Sequence, residues 1–386
     1  MTRFSDERYD VIVVGAGPAG SSCAALLARG GLRVVLLDKA QFPREKICGD
    51  CINPKCWPLF ELLGVAATLR AHNLHVLDSF RVTSSAGVEL RGTIAWDDRS
   101  PFFSIKRSAL DTLLLENASD SGVTIHEKTT VIDVWRNNSR DMVIRASGEN
   151  GIFEVTSNII VGADGRNSVI AKKLFQKVGV SQRQYGAHGS LQKERRVGVQ
   201  WHSHHQPQSG SGVELFLFES GYCGIVNVGD QAANIAMVTT PDHALLGKQN
   251  FSRFLEETLY SNPAARERFS SLVPMGELST AFPIHPRFHR GRKQGVFLVG
   301  DACQTVEPFT GEGVFFAMQG GALVAQRILG SHTHRASFFP GRVRRPFWAN
   351  RLSSPLLSHR HTANALVSFA SRFPSLIPLV VRGIIR

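Results

Sequence analysis

The chain has 386 residues, 43% apolar and 20% charged, and a formal net charge of +12. That length supports a large core and two domains, and the composition excludes a disordered or fibrous chain. No run of eighteen apolar residues occurs, which excludes a membrane-spanning helix, and six cysteines in so long a chain do not point to a disulfide framework.

The first strand begins within ten residues of the start and no apolar leader precedes it, which predicts a cytoplasmic protein. Val11 to Val14 form an apolar run suited to a strand buried on both faces. Gly15, Gly17 and Gly20 supply G-x-G-x-x-G, with Ala19 inside it, and Ser21 to Arg29 have helical composition. A second buried run, Val34 to Leu37, ends at Asp38 and Lys39. Strand, glycine turn, helix, strand and acid in this register predict dinucleotide binding. The first glycine makes the turn, the second admits a diphosphate, and the third lets helix pack on strand. Asp38 stands where a ribose hydroxyl is accepted.

Gln41 to Cys56 is rich in turn formers and predicts a loop. Helices are expected over Trp57–Leu69, Lys106–Ser119, Phe251–Arg268 and Val314–Leu329. A strand pair is expected over Val76–Leu90, with its turn at Ser84–Gly87. A meander follows, around 123–126, 130–136, 141–146, 152–155 and 158–162, and Val197–Val238 is again strand-rich. His202, His204 and His205 lack other ligand-spaced partners and read as a solvated loop between strands rather than a metal site. Ser331 to Arg386 holds nine Arg and no Asp, Glu or Lys. The body is therefore close to neutral, which argues against nucleic-acid binding. The tail suits either amphipathic helices on an anionic membrane or a helical lid over the core.

The motifs GAGPAG (15–20), Arg107 in KRSALDTLL, GADGRNS (162–168) and GDACQTVEPFTGEG (300–313) resemble, in order, those of p-hydroxybenzoate-hydroxylase-like FAD oxidoreductases. PREKICGD (43–50) and PFTGEGVFFAM (308–318) are most similar to the geranylgeranyl reductase branch. The resemblance implies an α/β fold in which a Rossmann-like FAD-binding domain (1–75, 101–175, 285–330) is interleaved with a mixed-sheet substrate domain (76–100, 176–284). A basic helical tail (331–386) follows. It also implies roles. Arg107 lies along the pyrophosphate, Asp164 belongs to the second nucleotide motif, and Asp301 bonds the ribityl chain. Gly311, Gly313 and Val314 bring a helix N-terminus to the flavin N1/C2=O edge, and Cys48 is catalytic or gating beside the ring. NAD(P)H or another donor would reduce the flavin, and the substrate would be hydrophobic, a prenyl lipid above all.

Departures matter. Where the family places an Arg after the second motif this chain has Ile170 and Ala171, and Gly224 replaces an aromatic on the substrate sheet. Monooxygenases of this fold usually carry a His after the GDA element, and Gln304 here favours the reductase branch. Halogenases would show Trp-x-Trp-x-Ile-Pro, which is absent. The Cys48, Cys51 and Cys56 spacing also occurs in flavoprotein disulfide reductases, but no second glycine-rich nucleotide fold lies between 170 and 290. A flavin-binding protein without turnover is the remaining alternative.

Overall fold

The structure, a computed structural model, describes residues 8–72, 74–94, 98–175, 196–204, 212–219, 221–229, 231–260, 262–270, 272–284, 287–288, 292–306, 308, 311–332 and 360–373. In chain order the elements begin with β1 (Arg8–Val14), α1 (Pro18–Arg29), β2 (Val34–Leu37), β3 (Cys51–Ile52), α2 (Trp57–Leu62), α3 (Ala66–Ala71), β4 (His75–Val76), β5 (Ser79–Thr83), β6 (Glu89–Thr93), β7 (Phe103–Ser104) and α4 (Arg107–Asp120). Next come β8 (Thr124–His126), β9 (Thr130–Arg136), β10 (Met142–Gly148), β11 (Gly151–Gly162), α5 (Val169–Phe175), β12 (Val197–His204), β13 (Gly212–Phe218), β14 (Gly221–Asn227) and β15 (Ala232–Thr239). The rest are α6 (Pro241–Gln249), α7 (Phe251–Thr258), α8 (Pro263–Ser270), β16 (Val273–Ala281), β17 (Arg287–Phe288), β18 (Arg292–Lys293), β19 (Val296–Leu298), β20 (Gln304–Thr305), α9 (Gly313–His332) and α10 (Arg360–Arg372).

Strands with no polar face fit only where both faces of a sheet are covered. The first sheet, ordered β18-β19-β11-β1-β2-β8, is parallel from β19 to β8. Val11 and Val13 point to a layer built from α1, α2, α4 and α9, while Ile12 and Val14 point to β9, β10 and α5. The strands expected at 152–155 and 158–162 are one twelve-residue strand, β11. Its first half pairs antiparallel with β10 and its second half parallel with β1, so a single strand joins the meander to the nucleotide fold.

The second sheet runs β16-β12-β15-β14-β13-β5-β6, drawing its strands from residues 79–93 and 197–281. One face packs through Trp201, Phe216, Phe254 and Phe269 under α6–α8. The other carries Val82, Leu217, Tyr222 and Val238, with Ile284 and Val367 of α10 set against it.

Several expectations need correction. The helix expected over Trp57–Leu69 is two short ones, because Gly64 between them adopts φ +72°. The helix expected over Phe251–Arg268 also breaks, at Pro263, which has no N–H to donate and so opens α8 rather than continuing α7. Helix α6 was not expected, although its signal is present: Thr240 caps it, accepting from His243 N–H, with Pro241 in the first turn. His202 and His204 lie on β12, not in a loop, and His205 falls outside the described residues. Of the basic tail only 331–332 and 360–373 are described; most of its arginines, and the stretch from 374 expected to lie on a membrane, fall outside. Among the described residues no helix is long and apolar enough to cross a membrane.

Candidate active site

Three turns at the carboxyl ends of adjacent parallel strands converge on one groove. In the β1–α1 turn Gly15 has φ +102°, and a Cβ there would meet Ala163 O at 2.4 Å. A Cβ on Gly20 would lie 1.8 Å from Gly15 O. Gly17, the residue before α1, caps the helix with no side chain, and the first helical position is Pro18. The first-turn N–H groups therefore have no side-chain acceptor, and the positive end of the dipole is open. Over it lies Arg44, whose Nη2 is 3.4 Å from a Gly17 Cβ position and 3.2 Å from Asp111 Oδ2. The fully buried Asp111 also takes both Nε and Nη2 of Arg107 at 2.8 Å. Asp38 closes the turn from the other side, accepting from Ala16 N–H at 2.6 Å and Ala40 N–H at 2.8 Å, with Lys39 exposed beside it.

Helices α1 and α9 run side by side in one direction. A Cβ on Gly321 would meet Ala19 O at 2.3 Å and one on Gly30 would meet Leu329, so the Ala19 backbone packs directly against α9. Gly313 precedes Gly321 by eight residues, which carries the start of α9 about 12 Å beyond the start of α1. Between the two helix ends sits the Gly300–Ala302 turn, where a Cβ on Gly300 would be 3.0 Å from the Ala19 methyl. That turn presents Asp301, and Arg166 of the GADGRNS turn stands 3.7 Å from its carboxylate. Gly311 has φ +64°, a Cβ on Gly313 would meet nothing, and the Val314 side chain is buried in the core. Asp164 is engaged by its own turn: its Oδ2 accepts from Val169 and Ile170 N–H, and its buried Oδ1 has no hydrogen-bond partner among the described residues. Burial raises the pKa of that carboxyl.

The loop carrying Cys48 is held between the two sheets. Cys48 N–H donates to Gln200 Oε1 at 2.9 Å, Asn234 Nδ2 donates to Cys48 O at 2.7 Å, and Gln200 Nε2 donates to Asn234 Oδ1 at 2.9 Å. Gly198, on the same face of β12 as Gln200, faces Ile47 of the loop. Asp50, fully buried at φ +55°, accepts from Arg107 N–H at 3.2 Å and meets His202 Nε2 at 3.3 Å. The Arg107 guanidinium and the Asp50 N–H both favour the thiolate of Cys48. Burial raises the thiol pKa, with the Arg107 charge opposing it, and burial likewise raises that of Asp50.

Sequence reasoning missed Arg44, Asp50, Gln200 and Asn234. The readable signal was Gln200-x-His202-x-His204, polar residues at strand spacing on one face of a strand whose other face carries Val197, Val199 and Trp201.

The family described as "FAD binding domain" matches residues 8–337. Menaquinone reductase of Mycolicibacterium smegmatis is 32% identical over 86% of this chain and 80% of its own length. Digeranylgeranylglycerophospholipid reductase 1 of Methanosphaera stadtmanae is 27% identical, with 81% and 73% covered. Among solved structures, the myxobacterial chondrochloren halogenase CndH matches with a TM-score of 0.74 at 22% identity, over 86% of this chain and 77% of that one.

Proposed function

The chain belongs to the FAD binding domain family and is an FAD-dependent oxidoreductase, and from that premise we propose that it hydrogenates a carbon–carbon double bond of a hydrophobic prenyl lipid, drawing electrons from NAD(P)H or another donor. When bound, FAD supplies the two-electron hydride chemistry; the chain's own residues hold it, exclude water and supply a proton.

The groove fits the cofactor part by part. An open pocket of about 270 Å³, lined by Gln41, His126, Lys128 and Phe153, suits the adenine end, beside Asp38 for the ribose. The uncapped start of α1 beneath Arg44 suits the diphosphate, Asp301 the ribityl chain, and the start of α9 the ring. The guanidinium of Arg107 is taken up by both oxygens of Asp111, whereas Arg44 meets only one of them and lies over the Gly17 turn, so the diphosphate contact is assigned to Arg44. Arg107 becomes a positioning residue acting through Asp111. Asp164 likewise shapes its turn rather than contacting ligand. Removing a charged hydrogen bond costs about 1.5–3 kcal/mol. Arg44→Met should therefore weaken FAD binding about ten- to a hundredfold in a flavin fluorescence titration, and an unchanged Kd would reject the assignment.

One observation carries the reaction class. The Cys48 thiol, kept protonated by burial, sits on a loop pinned by Gln200 and Asn234 to the sheet face that bears Val82, Leu217, Tyr222 and Val238. A proton donor beside an apolar wall suits saturation of a lipid alkene, in which one carbon receives hydride and its neighbour a proton. The test is anaerobic incubation with NADPH and a polyprenyl lipid (a menaquinone, or a digeranylgeranyl glycerophospholipid) followed by mass spectrometry. A gain of two hydrogens is expected. Gain of oxygen or halogen in air, or a bound flavin that no donor reduces, overturns the reading.

A further inference from the structure

Glu312 directly precedes α9, and its carbonyl accepts the first helical hydrogen bond, from Phe316 N–H at 3.0 Å. It therefore holds the capping position, where an acidic side chain ordinarily folds back onto the first-turn N–H groups and neutralises the positive helix end. Here the carboxylate, 6% exposed, instead meets Lys55 Nζ at 3.0 Å, and that ammonium also lies 5.5 Å from the Phe315 ring centroid. Lys55 comes from the Pro54–Cys56 turn, where Asn53 Oδ1 accepts from Lys55 N–H and fixes the backbone. That turn belongs to the segment of Cys51, whose Cβ is 3.8 Å from a Gly311 Cβ position. A buried acid at a helix start has thus been drawn aside by a cation from a segment more than 250 residues away.

We propose that Lys55 and Glu312 form a tuning pair that keeps the positive end of α9 available to the flavin ring and thereby sets the flavin's reduction potential. Reduction adds negative charge to the ring, so nearby fixed charge biases the equilibrium in a direction set by its sign. With Lys55 present the pair is neutral, and the helix end contributes its partial positive charge unopposed. The inference rests on FAD lying along α1 and α9, as read above, and not on which substrate is reduced.

The test is the midpoint potential of FAD-loaded protein, measured by anaerobic titration against a reference dye. Lys55→Met leaves Glu312 unbalanced and should lower the equilibrium constant for reduction about tenfold, a shift of about 30 mV for a two-electron couple. Glu312→Gln leaves Lys55 unbalanced and should raise it by a similar factor. The double variant should return to within about threefold of wild type, and Lys55→Arg, which keeps the charge, should stay there. A purely structural role would move both single variants the same way, and that result, or no shift beyond threefold in either, overturns the proposal. If Lys55→Met does not retain FAD, Glu312→Gln decides alone and must move upward. Retention by the double variant when both single variants lose FAD supports the pair, and loss from all three overturns it. Wild-type protein that takes up no FAD would instead refute the cofactor placement itself.

Discussion

Gly20→Ala should give a protein that retains less than about a tenth of the FAD held by wild type and melts well below it. The new methyl would stand 1.8 Å from Gly15 O, a rigid backbone atom, so either the turn or α1 must move. Overpacking a tight site costs about 1–3 kcal/mol even where side chains can yield, and here none can. Both consequences have one cause, because the turn that must move is the one that holds the diphosphate. Gly17→Ala is the informative partner. Its methyl would meet only the mobile end of Arg44, at 3.4 Å, with no backbone penalty. It should melt near wild type and still bind FAD more weakly. Thermal melts with and without added FAD, together with the flavin absorbance of purified protein, read both variants. Equal losses in the two would refute the account.

Cys48→Ala should lower kcat by about 10²- to 10⁴-fold, the usual worth of a positioned general acid. The rate at which the donor reduces the flavin should stay near wild type. The neutral thiol carries a single proton, and that is the one it can give. The sign of the titration agrees. Burial outweighs the Arg107 charge and raises the thiol pKa, so the S–H form persists through neutral pH and is lost only on the alkaline side. Wild-type turnover should therefore fall at alkaline pH, and the residual rate of Cys48→Ala should lack that limb. Turnover within about threefold of wild type in the alanine variant would show that solvent delivers the proton.

What the sequence made legible was backbone demand. Gly15, Gly17, Gly20 and Asp38 are separated by so few residues that the turn they build is a local fact, and the structure closes it with Ala16 N–H on Asp38. Arg107 and Asp111 are four apart on one helix, a spacing visible in advance, but its partner Arg44 was not. The Cys48 clamp could not be read. Its hydrogen bonds join residues 152 and 186 positions apart, and polar side chains on a strand do not reveal which loop they will meet. The union of 152–155 with 158–162 was hidden for another reason: Thr156 and Ser157 fall between the two expected strands, yet Ser157 lies fully buried, its hydroxyl donating to Ile159 O.

The amide clamp of Gln200 and Asn234 has a consequence for how a long guest reaches the thiol. The clamp ties the Cys48 loop, which packs against the first sheet's core, to the second sheet, so parting the two sheets would break the two hydrogen bonds that hold Cys48. On the reading proposed above, a prenyl chain would then have to thread in lengthwise. The entry such a chain would need lies at the rim of β6 and β13, where α10 rests and where, among its described side chains, only Val367 is buried.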